Sequence, residues 1–227
     1  MRILLAALLL ALSALIGGAP ARAADLPQYD VPEVDYGLSG GFYLRGSAAG
    51  NLLWTRQHIG TCGCDEPVTG AGYGYSLGVG FGYEFGNGLR VDSTYDYLAN
   101  SGLTDGTNTL HLRAGVALAN AYYDFSLGGG GAAGGGVGGY VGGGIGAAYY
   151  TTHTTPVDPT LPDGSGWSPA IAAQTGLTYD TGTFVADLGY RLLYLPQISN
   201  NYAGGTSYYL NDNFVHEIRG TLRYRLQ

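Results

Sequence analysis

Charged side chains recur at alternate positions along several segments of this sequence. All ten basic residues are arginine, and lysine is absent. Arginine pairs well with carboxylates, and charges that leave water must be paired, so charges on one face of a strand are expected to neutralise one another. Alternation predicts one internal network with these members: Arg45, Glu84, Arg90, Asp92, Asp96, His111, Arg113, Asp187, Arg191, Glu217, Arg219, Arg223 and Arg225. Such a network is either a structural core of ion pairs or a charged eyelet that conducts ions.

The two cysteines, Cys62 and Cys64, are separated by a single residue. In an oxidising compartment a disulfide is the default for such neighbours, although one intervening residue makes a strained ring that is readily reduced. Capture of a metal ion or haem together with His58 is the alternative. Four credible ligands are not evident nearby, so we predict a loop disulfide and no metal or cofactor site.

Catalytic residues are not apparent in this sequence. His216 and Glu217 are adjacent, and neighbouring strand residues point to opposite faces, so these two side chains cannot act together. A Ser, His and acid set in mutual hydrogen bonding is not visible either. The glycines of Gly134-x-Gly136-x-x-Gly139 match a dinucleotide fingerprint only formally, since no strand-turn-helix context surrounds them. The sequence therefore predicts a protein that is not an enzyme.

The element around which the chain is organised spans residues 70–86. Its odd positions are large and apolar or aromatic, whereas its even positions are small or polar. This period of two predicts a β-strand with one apolar face. The segment is longer than the roughly 5–6 residues typical of globular sheets, and it reaches the about 9–11 tilted residues that cross a bilayer. Outer-membrane barrels carry this pattern, with apolar residues toward lipid and small or polar residues toward the interior.

Seven further segments alternate in the same way. The eight predicted strands span about 41–54, 70–86, 89–97, 109–125, 140–150, 169–179, 183–195 and 213–226. Odd-numbered residues face outward on both the second and the third strand. Each cross-strand pair must therefore join two odd or two even residues, so that the two residue numbers sum to an even number. A three-residue turn, Gly86-Asn87-Gly88, meets this condition and pairs Glu84 with Arg90 and Val79 with Tyr95. On the fourth strand, the residues predicted to face outward are Leu110, Leu112, Val116, Leu118 and Tyr122.

These strands predict an all-β fold, an eight-stranded antiparallel up-and-down transmembrane β-barrel. The four longer connections, 55–69, 98–108, 151–168 and 196–212, would face the cell exterior. Two aromatic girdles are expected. The outer girdle comprises Trp54, Tyr73, Tyr75, Tyr97, Tyr149, Tyr194 and Phe214, and the inner one Phe42, Tyr83, Phe85, Tyr122, Tyr179 and Phe184.

The amino-terminal segment carries the features of a secretory signal. Arg2 precedes an apolar run, and Ala21-Arg22-Ala23 is a small-x-small cleavage site. We therefore predict a signal peptide at 1–23, a periplasmic tail at 24–39 and a barrel at 40–227. Cleavage would leave eight arginines against 17 acidic residues. The absence of lysine excludes a Gly-Lys phosphate loop, and the acidic balance argues against nucleic-acid binding.

Several short stretches carry a resemblance to a known family. They are residues 23–27 (AADLP), 119–125 (ANAYYDF), 140–146 (YVGGGIG), 216–219 (HEIR) and 222–224 (LRY). In order and spacing they resemble the small eight-stranded outer-membrane barrels of alphaproteobacteria, a porin-family or opacity-like group with the architecture of the OmpA membrane domain. The resemblance implies a cell-surface barrel. Members are credited with porin-like, structural, adhesive or haem-binding roles.

The expected function is therefore that of an outer-membrane barrel with a structural or porin-like role. The alternative is a surface adhesin, or a haem- or ligand-binding protein, that acts through the four outer loops. The expected partners are outer-membrane lipid and lipopolysaccharide, and the barrel-assembly machinery during biogenesis. An extracellular ligand is not identified by the sequence.

Overall fold

Strands make up almost all of the chain that the structure describes. The computed structural model describes residues 40–59, 65–66, 71–104, 109–127, 136–155, 163–200 and 209–226. The strands are β1 (Gly41–Ile59), β2 (Asp65–Glu66), β3 (Gly72–Glu84), β4 (Leu89–Thr104), β5 (Thr109–Ser126), β6 (Gly136–Thr155), β7 (Gly164–Asp180), β8 (Phe184–Ser199) and β9 (Tyr209–Arg225). The predicted signal peptide and tail, and both cysteines, lie outside the described residues.

The eight long strands close into an antiparallel barrel. Each pairs with its neighbour along the chain, and β9 pairs back onto β1. The two-residue β2 pairs only with the last two residues of β1 and is not part of the closed barrel. We call the barrel end with the hairpins 85–88 and 181–183 the turn end, and the opposite end the loop end. The predicted fold class, an eight-stranded antiparallel barrel, is confirmed.

Alternation of side chains explains why β3 and β4 form as they do. Apolar odd residues of β3 are exposed on the barrel exterior, among them Val79 and Phe81. The hairpin has the predicted register, with Glu84 opposite Arg90 and Val79 opposite Tyr95. Gly88 has a φ of 89°, a left-handed conformation that glycine adopts without steric cost. The turn derived from parity is therefore confirmed.

The strands run further toward the loop end than the sequence indicates. Residues 98–104 and 151–155 were expected in loops, but they belong to β4 and β6. β4 continues past a bulge at Ser101 to Leu103, where Gly102 has a φ of 98°. The reason is that inward residues there, such as Leu98 and Leu103, are buried in an apolar core that extends the wall.

β5 has the opposite orientation to the predicted one. Its even residues, which were expected to face outward, are buried in the interior: Leu110, Leu112, Val116, Leu118 and Tyr122. The odd residues therefore lie on the exterior, and these include His111 and Arg113. The physical reason is that the interior toward the loop end is apolar, so the leucines of β5 pack there. Its exterior face carries mostly small residues, such as Gly115 and Ala117.

The exterior of the barrel is apolar and rich in aromatic residues. Phe81, Tyr95 and Ile145 are all more than half exposed. Twelve of the thirteen predicted girdle residues follow the predicted orientation; Tyr122 is buried instead, and Tyr123 is exposed beside it. Among the residues that the structure describes, no helix is long and apolar enough to cross a membrane.

Candidate functional site

The interior of the barrel holds two clusters of ion pairs and an apolar layer. The turn-end cluster comprises Arg45, Glu84, Arg90, Asp92, Asp124, Asp180, Asp187, Arg223 and Arg225. The middle cluster comprises Asp96, Arg191, Glu217 and Arg219. The apolar layer consists of Leu53, Leu98, Leu103, Leu110, Leu112, Ala114, Val116, Leu118, Ala148, Tyr150, Ala170, Ala172, Leu193, Leu195, Ile198, Leu210 and Val215.

The middle cluster is a closed ring of two arginines and two carboxylates. Arg191 Nη1 lies 2.7 Å from one Asp96 oxygen, and Arg219 Nη1 lies 2.6 Å from the other. The same two guanidinium groups also bind Glu217, at 2.5 and 2.9 Å. Ser76 donates a further hydrogen bond of 2.6 Å to Glu217. Each charge thus has two opposite partners, which offsets its removal from water.

At the turn end, Glu84 lies between two arginines. Its carboxylate accepts from Arg223 at 2.6 Å and from Arg225 at 2.7 Å. Arg223 continues to Asp187, and Arg225 continues to Asp180. Glu84 therefore joins strands β3, β7, β8 and β9 through one chain of ion pairs.

A second part of the turn-end cluster surrounds Asp92. Arg45 donates to its carboxylate at 2.7 Å, and the Tyr43 hydroxyl donates at 2.8 Å. Arg90 binds Asp124 at 2.8 Å, and its guanidinium lies 3.7 Å from the centre of the Tyr122 ring. This stacking adds a cation–π contact to the ion pair. Tyr122 is thus part of the charged interior and not of an aromatic girdle.

Eleven of the thirteen side chains proposed for the internal network take part in these two clusters. His111 and Arg113 do not, because the odd residues of β5 face the exterior. Sequence reasoning missed Asp124, which lies on the even face of β5, and Asp180, which lies at the very end of β7. A signal for Asp124 was present: it shares its face with the polar Asn120, as an interior position would.

Glycines line β3 on its interior side, and they are closely packed. An added Cβ at Gly78 would lie 1.9 Å from Asp96 Oδ1, and one at Gly82 would lie 2.6 Å from the Tyr43 ring. These glycines therefore leave no open space beside them at these two positions. Their small size instead admits the larger charged side chains of the neighbouring strands.

The histidine on β9 lies apart from the charged interior. His216 Nδ1 is 2.6 Å from the Tyr190 hydroxyl, whereas the adjacent Glu217 belongs to the middle cluster. As predicted, His216 and Glu217 do not form a dyad. Within the described residues, no group of three or more His, Cys, Asp or Glu side chains is placed to hold a metal ion.

No protein-family model matches the sequence, and the comparison with curated proteins finds no match. Solved structures do match. The chain is similar to Neisserial surface protein A (NspA), with 21% identity over 82% of this chain and 97% of that chain, and a TM-score of 0.55. It is also similar to Ail of Yersinia pestis (16% identity, 82% and 99% covered, TM-score 0.47) and to OprG of Pseudomonas aeruginosa (16%, 82% and 97%, TM-score 0.44). The chain thus has the fold of the small eight-stranded outer-membrane β-barrels.

Proposed function

We propose that this chain is a structural outer-membrane barrel whose interior is closed to ions. In this proposal the segment 1–23 directs export, the barrel-assembly machinery inserts the chain, and lipid and lipopolysaccharide surround it. The apolar, aromatic exterior supports insertion, because a closed barrel satisfies every backbone hydrogen bond in lipid. The proposal that the interior is closed rests on one observation: the apolar layer lies directly next to the two ion-pair clusters along the barrel.

Conduction through this interior would face two barriers. Eight strands leave a bore that side chains fill, and here leucines with almost no exposed surface occupy its loop-end half. A hydrophobic constriction of this kind excludes ions by dewetting. Below it, an ion would have to displace guanidinium groups that already hold carboxylates at 2.5–3.0 Å. These contacts support a structural core over a charged eyelet.

Planar-bilayer recording of the refolded mature protein tests this proposal. We expect no discrete channels, because both interior barriers persist in the folded barrel. The same sample must migrate differently boiled and unboiled on a gel, which establishes that silence comes from folded protein. Discrete channels whose conductance changes with Glu84→Gln or Arg90→Gln would instead favour a porin-like role.

A surface-binding role is the second candidate, and one observation favours it. The wall continues past the exterior aromatic residues toward the loop end: β4 extends seven residues beyond Tyr97 to Thr104, and β6 extends six residues beyond Tyr149 to Thr155. This extension would hold the outer loops on a rigid platform, as an adhesin or a haem- or ligand-binding protein requires.

Shortening the loops tests that role separately from the barrel. We expect a variant with residues 156–162 and 201–208 each replaced by Gly-Ser-Gly to keep its heat-modifiable migration. If the loops bind a surface or haem, this variant loses attachment to cells or haem that the wild type retains. Equal binding by both proteins would contradict a role of these two loops in binding.

A further inference from the structure

Arg113 differs from the other arginines whose side chains the structure describes. The structure describes seven arginine side chains. Six of them belong to the interior clusters, whereas Arg113 is exposed on the exterior of β5. Its Nη1 donates to the Tyr97 hydroxyl at 3.1 Å, and within the described residues it has no carboxylate partner. A charge held on the wall of an otherwise apolar exterior, with no counterion in the part of the chain that the structure describes, is a candidate anion ligand.

Two histidines lie beyond Arg113 toward the loop end. His111 and His153 are direct cross-strand partners on β5 and β6, and their ring centres are 6.2 Å apart. Asp163 Oδ2 lies 2.6 Å from His153 Nδ1, which fixes the ring and leaves Nε2 as its other polar atom. A groove of about 680 Å³ joins these side chains; its lining also includes Thr151, Thr152, Gly164 and Ser165. We call it the outer groove.

The strand register gives the height of the outer groove. Tyr97, Gly115, Tyr149 and Trp167 form one row across β4 to β7, and three of these four are exposed aromatics. Arg113 is two residues beyond that row, and His111 is four. At about 3.4 Å per residue and a tilt of about 40°, they lie about 5 and 10 Å beyond the aromatic row.

That height corresponds to the headgroup layer of a bilayer. Aromatic belts mark the membrane–water interface, and the polar layer outside the hydrocarbon core is roughly 5–7 Å thick on each side. Arg113 would therefore lie level with the headgroups of the outer leaflet, and the histidines just beyond them on the water side. Guanidinium and imidazole N–H groups and hydroxyls are donors suited to a phosphate. A metal cation fits poorly, because within the described residues no group of three or more His, Cys, Asp or Glu side chains is placed to hold one.

We propose that the outer groove binds the phosphate of an anionic lipid headgroup in the outer leaflet. This inference rests on the outer-membrane location proposed above. Arg113 supplies the fixed positive charge, and further donors come from His111 along β5 and from Thr151 and Ser165 on the neighbouring strands. His153 is oriented by Asp163. Lipid on this face of the barrel would then be held specifically, while the rest of the exterior contacts lipid only through apolar side chains.

Native mass spectrometry of the full mature protein in detergent tests the proposal. The probe is lipid A with its phosphates, compared with the same lipid after dephosphorylation. We expect retention of the phosphorylated form alone. Arg113→Gln should bind about tenfold more weakly, the loss of one charge-assisted contact, whereas Arg113→Lys keeps most of the affinity. The His111→Gln/His153→Gln pair should also weaken binding, and Gln197→Ala, an exposed loop-end control on β8, should not.

Three results would overturn the inference. One is equal retention of lipid A with and without phosphates, and another is unchanged binding by Arg113→Gln. The third is displacement of the lipid by inorganic phosphate at similar concentration, which would make the groove a free-phosphate site. Heat-modifiable migration confirms folding of each variant; if Arg113→Gln does not fold, Arg113→Lys and the histidine pair decide. A folded, silent barrel that does not retain the lipid refutes the groove alone and leaves the structural role intact.

Discussion

Replacing Asp96 with asparagine should destabilise the barrel by about 3–5 kcal/mol, the cost of breaking a buried ion pair from one side. Asp96 is fully buried, and each of its oxygens accepts from a different arginine. The amide keeps the shape of the side chain but removes the charge, so Arg191 and Arg219 must share Glu217. Urea unfolding of protein refolded into vesicles measures the effect, and the exterior Trp54 and Trp167 provide the fluorescence signal.

Asp212→Asn is the matched control for this substitution. Asp212 accepts from the Tyr194 hydroxyl and has a φ of 54°, a conformation that asparagine tolerates well. We expect its free energy of unfolding to change by no more than about 0.5 kcal/mol, as for an ordinary surface substitution. Similar losses in the two variants would show that the middle cluster contributes no more than a surface contact.

Replacing Gly78 with valine should prevent the barrel from folding. A Cβ at this position would lie 1.9 Å from Asp96 Oδ1 and 2.8 Å from Ser47 Oγ. Asp96 cannot move aside without leaving both of its arginines, so overpacking and loss of the ion pairs occur together. The measurement is the fraction of protein that shows heat-modifiable migration after refolding, which we expect to fall close to zero.

Gly46→Val separates this steric effect from the general cost of replacing a strand glycine. Gly46 pairs with Val79 on β3, on the exterior face, and an added Cβ there would meet no atom within 4 Å. We expect this variant to fold at least as well as the wild type, since β-branched residues suit an exposed strand face. If Gly78→Val folds with wild-type yield, Asp96 is not packed against β3 as described.

The hairpin between β3 and β4 shows what sequence reasoning can derive in this protein. Both strands carry unambiguous large and small faces, so the parity of the turn followed from the residues alone. The resulting pairs, Glu84 with Arg90 and Val79 with Tyr95, are those of the structure. One consequence was not accessible: Arg90 binds Asp124, and Glu84 binds arginines of β9. The register determines which residues are neighbours on adjacent strands. It does not determine the ion pairs, because long side chains reach partners on more distant strands across the interior.

β5 shows where the same reasoning fails. The rule that apolar residues face lipid assumes a polar interior along the whole barrel, but here the interior becomes apolar toward the loop end. Leucines of β5 therefore face inward, and the middle of its exterior face carries only alanine and glycine, with His111 and Arg113 toward the loop end and Tyr123 and Phe125 toward the turn end. Asn120 and Asp124 lie on the leucine face, and they are the local sign that this face is internal. Arg113 was predicted to face the interior but lies on the exterior, and the outer-groove proposal depends on it.

The prediction of strand length was wrong for a related reason. Residues near the loop end were expected in loops because they are polar or mixed in character, yet backbone pairing continues through them. Leu98, Leu103 and Leu110 are buried where the wall extends, so packing and not local propensity determines how far the strands run. A single sequence does not disclose such an apolar layer inside the barrel.

The seam between β1 and β9 has a consequence for the order of assembly. Asp96 and Arg219 are 123 residues apart in sequence, and Glu84 and Arg223 are 139 apart. A chain that has placed only its earlier strands thus holds Asp96 and Glu84 without these β9 arginines and Arg191 without Glu217, and it also carries two open strand edges. Arrival of the last strand removes both defects at once. Closure of the barrel should therefore be all-or-none, with few partly built barrels populated at equilibrium.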